Sequence, residues 1–240
     1  MRVIYKPKGR AGEYSEYALN IGRGCKHGCH YCYVPAMTRQ SPSEFRQEFT
    51  VKKDLFKRLE LDLQEMYYAN IKTPVLLCFI NDPYQSHLTA KITSDCMDLF
   101  NKFEQNFQIL TKAGAEACEA FDKYKPGDMF ASSLTFINKD DSYKIEPHAA
   151  HPESRIESLK IAHEKGIRTW VSFEPVLDGE QVIELFEKTK EFVDFYRLGK
   201  VSNYPSRVND WDQFANTMVN LFKENGKDYY IKNDLAVHLG

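Results

Sequence analysis

The 240-residue sequence predicts an α/β protein, a partial (β/α)6 TIM-type barrel with a parallel sheet and outer helices. Six short, largely apolar runs recur along the chain, longer segments of helical period separate them, and no repeat, low-complexity tract or linker interrupts the alternation. Six βα units fall short of the eight that close a full barrel, so one side of the sheet is expected to stay open, with functional residues just after the strands at their C-terminal ends. The pattern reads as one domain: an N-terminal extension over 1–17, a core barrel over 18–205, and a C-terminal helix and short strand over 206–240.

The strand candidates are 18–21, 75–80, 107–111, 129–136, 169–173 and 195–198, apolar on both faces as buried parallel strands are, with a last strand at 229–232. Leu55, Phe56, Leu59, Leu63, Met66 and Tyr67 fall on one helical stripe, and Cys96, Leu99, Phe100 and Phe103 on another. Pro152 suits the first turn of a helix carrying Ile156, Leu159, Ala162 and His163, which Gly166 would cap. Phe214, Met218, Leu221 and Phe222 mark one more helix, ending at Gly226. With 42% hydrophobic residues the chain can bury a sizeable core. The start of the sequence lacks the apolar stretch of a secretory signal, and no run of about 18 apolar residues offers a membrane span, so a cytoplasmic protein is expected. A net charge of −2 provides no global basic footprint, and a nucleic-acid substrate would need a local patch.

Of six cysteines, three fall within eight residues of the loop after the first strand, Gly22-Arg-Gly-Cys-Lys-His-Gly-Cys-His-Tyr-Cys-Tyr33. Thiolates are the soft ligands that select iron–sulfur clusters or zinc, and the glycines between them let backbone curl around a bulky inorganic core. Cys25, Cys29 and Cys32 are therefore the candidate metal ligands. Three ligands on a four-iron cluster leave one iron open for chemistry. The competing reading is a non-catalytic iron–sulfur or zinc-binding module for electron transfer or interaction, in which His27 or His30 supplies a fourth ligand.

The C-x3-C-x2-C spacing, with the aromatic Tyr31 before the third cysteine, resembles the signature of the radical S-adenosylmethionine (radical SAM) superfamily. Within it, Arg23-Gly24-Cys25, His27-Gly28-Cys29, Asn81-Asp82-Pro83-Tyr84-Gln85, Thr111-Lys112 and Ser172-Phe173-Glu174-Pro175-Val176 resemble the spore-photoproduct-lyase-like, or DNA-repair-photolyase-like, group over residues 3–205. The resemblance implies a [4Fe-4S] cluster whose open iron is chelated by S-adenosyl-L-methionine. It implies reductive cleavage of that cofactor to a 5′-deoxyadenosyl radical, which abstracts hydrogen from a substrate, for this group a DNA photoproduct among the candidates. It also implies an external electron donor of the flavodoxin or ferredoxin kind.

By the same resemblance Tyr31, Asn81, Asp82, Lys112, Ser133 and Glu174 are expected to bind the cofactor, Asn81 and Asp82 at its amino group, Lys112 and Ser133 at its methionine part. Cys78 resembles a hydrogen-atom donor of the group, although a cysteine within an apolar strand otherwise acts as a small core hydrophobe. Glu174 and Lys200 end adjacent strands and are expected to bring a carboxylate and an ammonium together, as an ion pair or at the cofactor or substrate. The long connection 137–150 reads as either a lid or a solvated surface loop.

Overall fold

A computed structural model describes residues 2–240. In chain order its elements are β1 (Ile4–Tyr5), β2 (Tyr17–Leu19), β3 (Gly22–Arg23), α1 (Val34–Thr38), α2 (Pro42–Gln47), β4 (Thr50–Val51), α3 (Leu55–Tyr68), β5 (Val75–Leu77) and α4 (His87–Lys102). There follow β6 (Phe107–Thr111), α5 (Ala115–Cys118), β7 (Met129–Ser133), α6 (Lys139–Ile145), α7 (Pro152–Glu164), β8 (Arg168–Val176), α8 (Gly179–Thr189), β9 (Phe195–Lys200), α9 (Trp211–Glu224), β10 (Asp228–Ile231) and α10 (Asn233–Ala236). One sheet takes the order β1-β2-β5-β6-β7-β8-β9-β10. From β2 to β10 every pairing is parallel and follows chain order, the open half-barrel that successive βα units build. The short β10 adds a seventh parallel strand. β1 pairs antiparallel with β2, an edge the sequence pattern did not announce. It is held from outside the sheet, because the buried Asp62 of α3 accepts the Val3 and Ile4 backbone N–H groups at 2.6 and 2.8 Å.

The helices pack on one face. Phe107, Phe130, Phe173 and Tyr196 point from alternate strand positions into the main core with Phe100, Leu159, Phe186 and Phe222 from the helices. The other face carries a separate cluster of Tyr14, Leu76, Ala131 and Trp170, and Tyr14 comes from the N-terminal segment rather than from a helix. That face is the inside of the half-barrel, and residues 9–16 cover part of it.

Several helix assignments need correction at their margins. Leu55, Leu59, Leu63 and Met66 are buried, but Phe56 and Tyr67 stand 40% and 48% exposed on the shoulders of the α3 stripe. On α7 Leu159 and Ala162 are buried and His163 is exposed, whereas Arg155, in phase with Leu159 and Ala162, is buried instead. The connection 137–150 is not an open loop: Asn138 caps α6 by accepting the Asp140 and Asp141 N–H groups. No helix of the described residues is long and apolar enough to cross a membrane.

Candidate active site

The cysteine loop leaves the C-terminal end of β2, on the edge where the barrel pattern places chemistry. Its entrance is tied to the neighbouring strand end, since the Asn20 side-chain oxygen accepts the Phe79 and Ile80 N–H groups at 2.8 and 3.1 Å. The loop then curls back on itself. Gly24 sits at φ +101°, and a side chain there would run into the Glu48 carbonyl. Gly28, at φ +69°, lies against His148 and Pro147. Gly24→Ala is therefore expected to disrupt the loop and lose most bound iron, measurable as iron per chain after reconstitution.

Cys25, Cys29 and Cys32 line one cavity of about 60 Å³ together with His30, Phe45 and Arg46. Burial pushes all three thiols up, Cys29 to about 12, with Asp82 adding to the effect at Cys25 and Glu146 at Cys29. Free, these thiols hold their protons, and a cationic core must displace them to make thiolates. Among the described residues no three His, Cys, Asp or Glu side chains are close enough to share one metal ion. A mononuclear zinc site requires that convergence, whereas a cluster takes one thiolate on each of three irons.

Asp82, at the end of β5, is 8% exposed, and protein donors surround its carboxylate. Oδ1 accepts the Tyr84 N–H at 2.8 Å and the Thr111 hydroxyl at 2.7 Å, and Oδ2 accepts the Lys112 N–H at 2.8 Å. His27 Nε2 stands 3.2 Å from Oδ2, within ion-pair distance but off the N–H axis, while Nδ1 faces the His148 carbonyl at 3.0 Å. Burial would raise the Asp82 carboxyl, but His27 and these hydrogen bonds outweigh it and hold it at about 2. The residue expected to grip the cofactor thus joins the cysteine loop to the ends of β5 and β6, a role invisible in a local Asp-Pro turn.

Tyr31 is likewise engaged by protein. Its hydroxyl donates to Glu146, its ring edge meets Tyr204, and Lys112 Nζ lies 5.7 Å from the ring centroid. Glu146 and Arg155 are each 1% exposed and stand 2.7 Å apart, though off the guanidinium N–H axis. Sequence reasoning overlooked this pair. The available signal was an arginine in phase with the buried face of α7.

Glu174 and Lys200 do not meet, contrary to expectation. Glu174 accepts from Arg10 Nη2 at 2.7 Å, from Lys232 Nζ at 2.9–3.0 Å and from the Tyr14 hydroxyl. Lys200 lies an odd number of positions from Arg197 on β9, so the two side chains leave opposite faces. Arg197 turns inward among the rings of Tyr14, Trp170, Phe195 and Tyr230. Lys200 turns outward to His238 Nε2 at 3.1 Å and the Trp211 ring. Cys78 packs in the main core at 7% exposure, and burial pushes its thiol up to about 12, so it keeps its proton there.

Three of the expected cofactor residues keep polar groups free for a ligand. The Asn81 side-chain oxygen is buried without a hydrogen-bond partner, which a cofactor N–H would satisfy. Lys112 makes no ion pair among the described residues, and Ser133 ends β7 on the same inward face as Ala131. A cavity lined by three thiols, with an orphaned acceptor at the neighbouring strand end, fits a cluster and a polar organic cofactor.

The Radical SAM superfamily model matches residues 19–193. Two curated relatives are uncharacterized proteins: one from Methanocaldococcus jannaschii, 26% identical over 76% of this chain and 69% of its own length, and one from Acidianus two-tailed virus, 25% identical over 80% and 67%. Among solved structures, a mutant of spore photoproduct lyase superposes with a TM-score of 0.74 at 12% identity, covering 95% of this chain and 78% of its own. Streptococcus suis SuiB bound to S-adenosylmethionine superposes at 0.64 with 13% identity, covering 89% of this chain, which spans 46% of SuiB. These likenesses are of fold. A family match across most of the sheet, on a loop whose three cysteines share one cavity at the strand ends, means that the chain belongs to the radical SAM superfamily, whose cofactors are a [4Fe-4S] cluster and S-adenosylmethionine.

Proposed function

We propose that this protein is a radical SAM enzyme that initiates hydrogen-atom abstraction from an organic substrate held on the inner face of the half-barrel. The observation that carries the reading is the single cavity lined by Cys25, Cys29 and Cys32, and the orphaned Asn81 oxygen after the neighbouring strand supports it. When bound and reduced by an external one-electron donor, the cluster and S-adenosylmethionine supply methionine and a 5′-deoxyadenosyl radical. The chain's own residues hold and orient. The three cysteines would ligate, Asn81 would accept an N–H from the cofactor, and Lys112 and Ser133 would meet its carboxylate end. Asp82, facing His27 and bonded to Lys112 and Thr111, and Tyr31, bonded to Glu146, would tie the loop to the neighbouring segments.

Anaerobic reconstitution with iron and sulfide, followed by reduction, is expected to convert S-adenosylmethionine to 5′-deoxyadenosine, and the Cys25→Ala variant to give none. A wild-type protein that binds the cluster yet forms no 5′-deoxyadenosine would sink the proposal. Asn81→Ala is expected to raise the KM for S-adenosylmethionine about tenfold, the effect of one buried hydrogen bond, while iron content stays at the wild-type level.

A further inference from the structure

We propose that the buried Glu146–Arg155 pair sets the reduction potential of the cluster, with Glu146 lowering it and Arg155 moderating that effect; this rests on the cysteine loop holding the cluster. The segment that carries Glu146 is bonded to the loop on three sides: the His30 N–H donates to the Ile145 carbonyl at 2.9 Å, the His148 N–H to the His27 carbonyl at 3.1 Å, and the Tyr31 hydroxyl to Glu146 itself. Tyr31 lies between Cys29 and Cys32, so the carboxylate is one side chain away from two of the three ligands. Arg155 stands behind it and anchors elsewhere, donating to the Ala150 and Ser133 carbonyls at 2.7 and 3.0 Å.

Solvent does not screen these charges, since both residues are 1% exposed. A buried ion pair is a poor device for stability alone, because an apolar pair of similar volume does as well. Two opposite charges at unequal distances from one point leave a net field there. Glu146 is bonded to Tyr31 within the loop while Arg155 lies on its far side, so the pair's own field at the loop is negative, beside the Lys112 ammonium 5.7 Å from the Tyr31 ring. A cluster gains negative charge on reduction, so the nearer carboxylate disfavours the reduced form.

The test is a redox titration of the reconstituted holoprotein by electron paramagnetic resonance, with iron content measured alongside. At the wild-type midpoint the ratio of reduced to oxidised cluster is expected to rise about tenfold in Glu146→Gln and to fall about threefold in Arg155→Met. The charge-conserving Arg155→Lys is expected to titrate near wild type, and the double variant Glu146→Gln/Arg155→Met about threefold toward the reduced side of it. Single variants that carry the cluster and titrate within about twofold of wild type would overturn the proposal. If the single variants fail to load, a double variant that loads supports balanced charge as the requirement, and a double variant that also fails overturns the proposal in favour of a hydrogen-bonded scaffold. A wild-type protein without a cluster would instead remove the underlying assignment of the cysteines.

Discussion

Asp82→Ala is expected to lower stability by about 4 kcal/mol and, independently of any contact with the cofactor, to reduce bound iron to a small fraction of wild type. The substitution strips the acceptor from the buried Tyr84 N–H and Thr111 hydroxyl and the half-buried Lys112 N–H, and removes the anion facing the buried His27. A buried donor left without a partner costs about 1–3 kcal/mol, and in a chain of this size 4 kcal/mol corresponds to a drop in Tm of about 8–16 °C. Thermal unfolding of the apoprotein reads the first effect and iron analysis the second. Asp82→Asn, which keeps an acceptor for two of the donors, is expected to fall between. A variant that unfolds at the wild-type temperature and changes only the KM for S-adenosylmethionine would return Asp82 to the cofactor.

Lys232→Met is expected to lower stability by about 3 kcal/mol and to expose residues 6–16 to protease. Lys232 is 2% exposed, and its ammonium donates to Glu174 and to the Arg10 carbonyl at 3.0 Å while lying 4.5 Å from the Tyr14 ring centroid. Removing one member of a buried pair generally costs 3–5 kcal/mol. The lower figure applies here because Arg10 and Tyr14 still reach Glu174. Tm would fall by about 6–12 °C. Limited proteolysis under native conditions is expected to cut within the N-terminal segment at least tenfold faster than in wild type, with the barrel core intact. Equal rates would show that Arg197, which donates to the Glu13 and Tyr14 carbonyls, holds the segment by itself.

What the sequence made legible follows from the range of each interaction. The strands are local apolar runs, and 107–111 coincides with β6 while the others differ by a few residues at their ends. The cysteine loop is local too, three thiols and their glycines within a dozen positions, so spacing alone identified it. The partners of site residues are another matter. Asp82 meets Lys112 across 30 positions, Tyr31 meets Glu146 across 115, and Tyr14 meets Glu174 across 160. No periodicity encodes such pairings. They arise from which strand ends the sheet order makes neighbours, and from the alternation that sends Arg197 inward and Lys200 outward. A local rule could still have flagged Arg155, a charged residue on an otherwise apolar helical phase.

The N-terminal segment over the inner face has a consequence for synthesis. Its partners are far downstream: Arg10 is joined to Glu174 across 164 positions and to Lys232 across 222. At ribosomal rates of about 5–20 residues per second, that interval is on the order of 10–40 s, during which the segment has emerged but has nothing to close against. The cysteines leave the ribosome within the same window. A nascent chain therefore displays the three loop cysteines well before its inner face is sealed, and on the proposed reading delivery of iron and sulfide can precede closure.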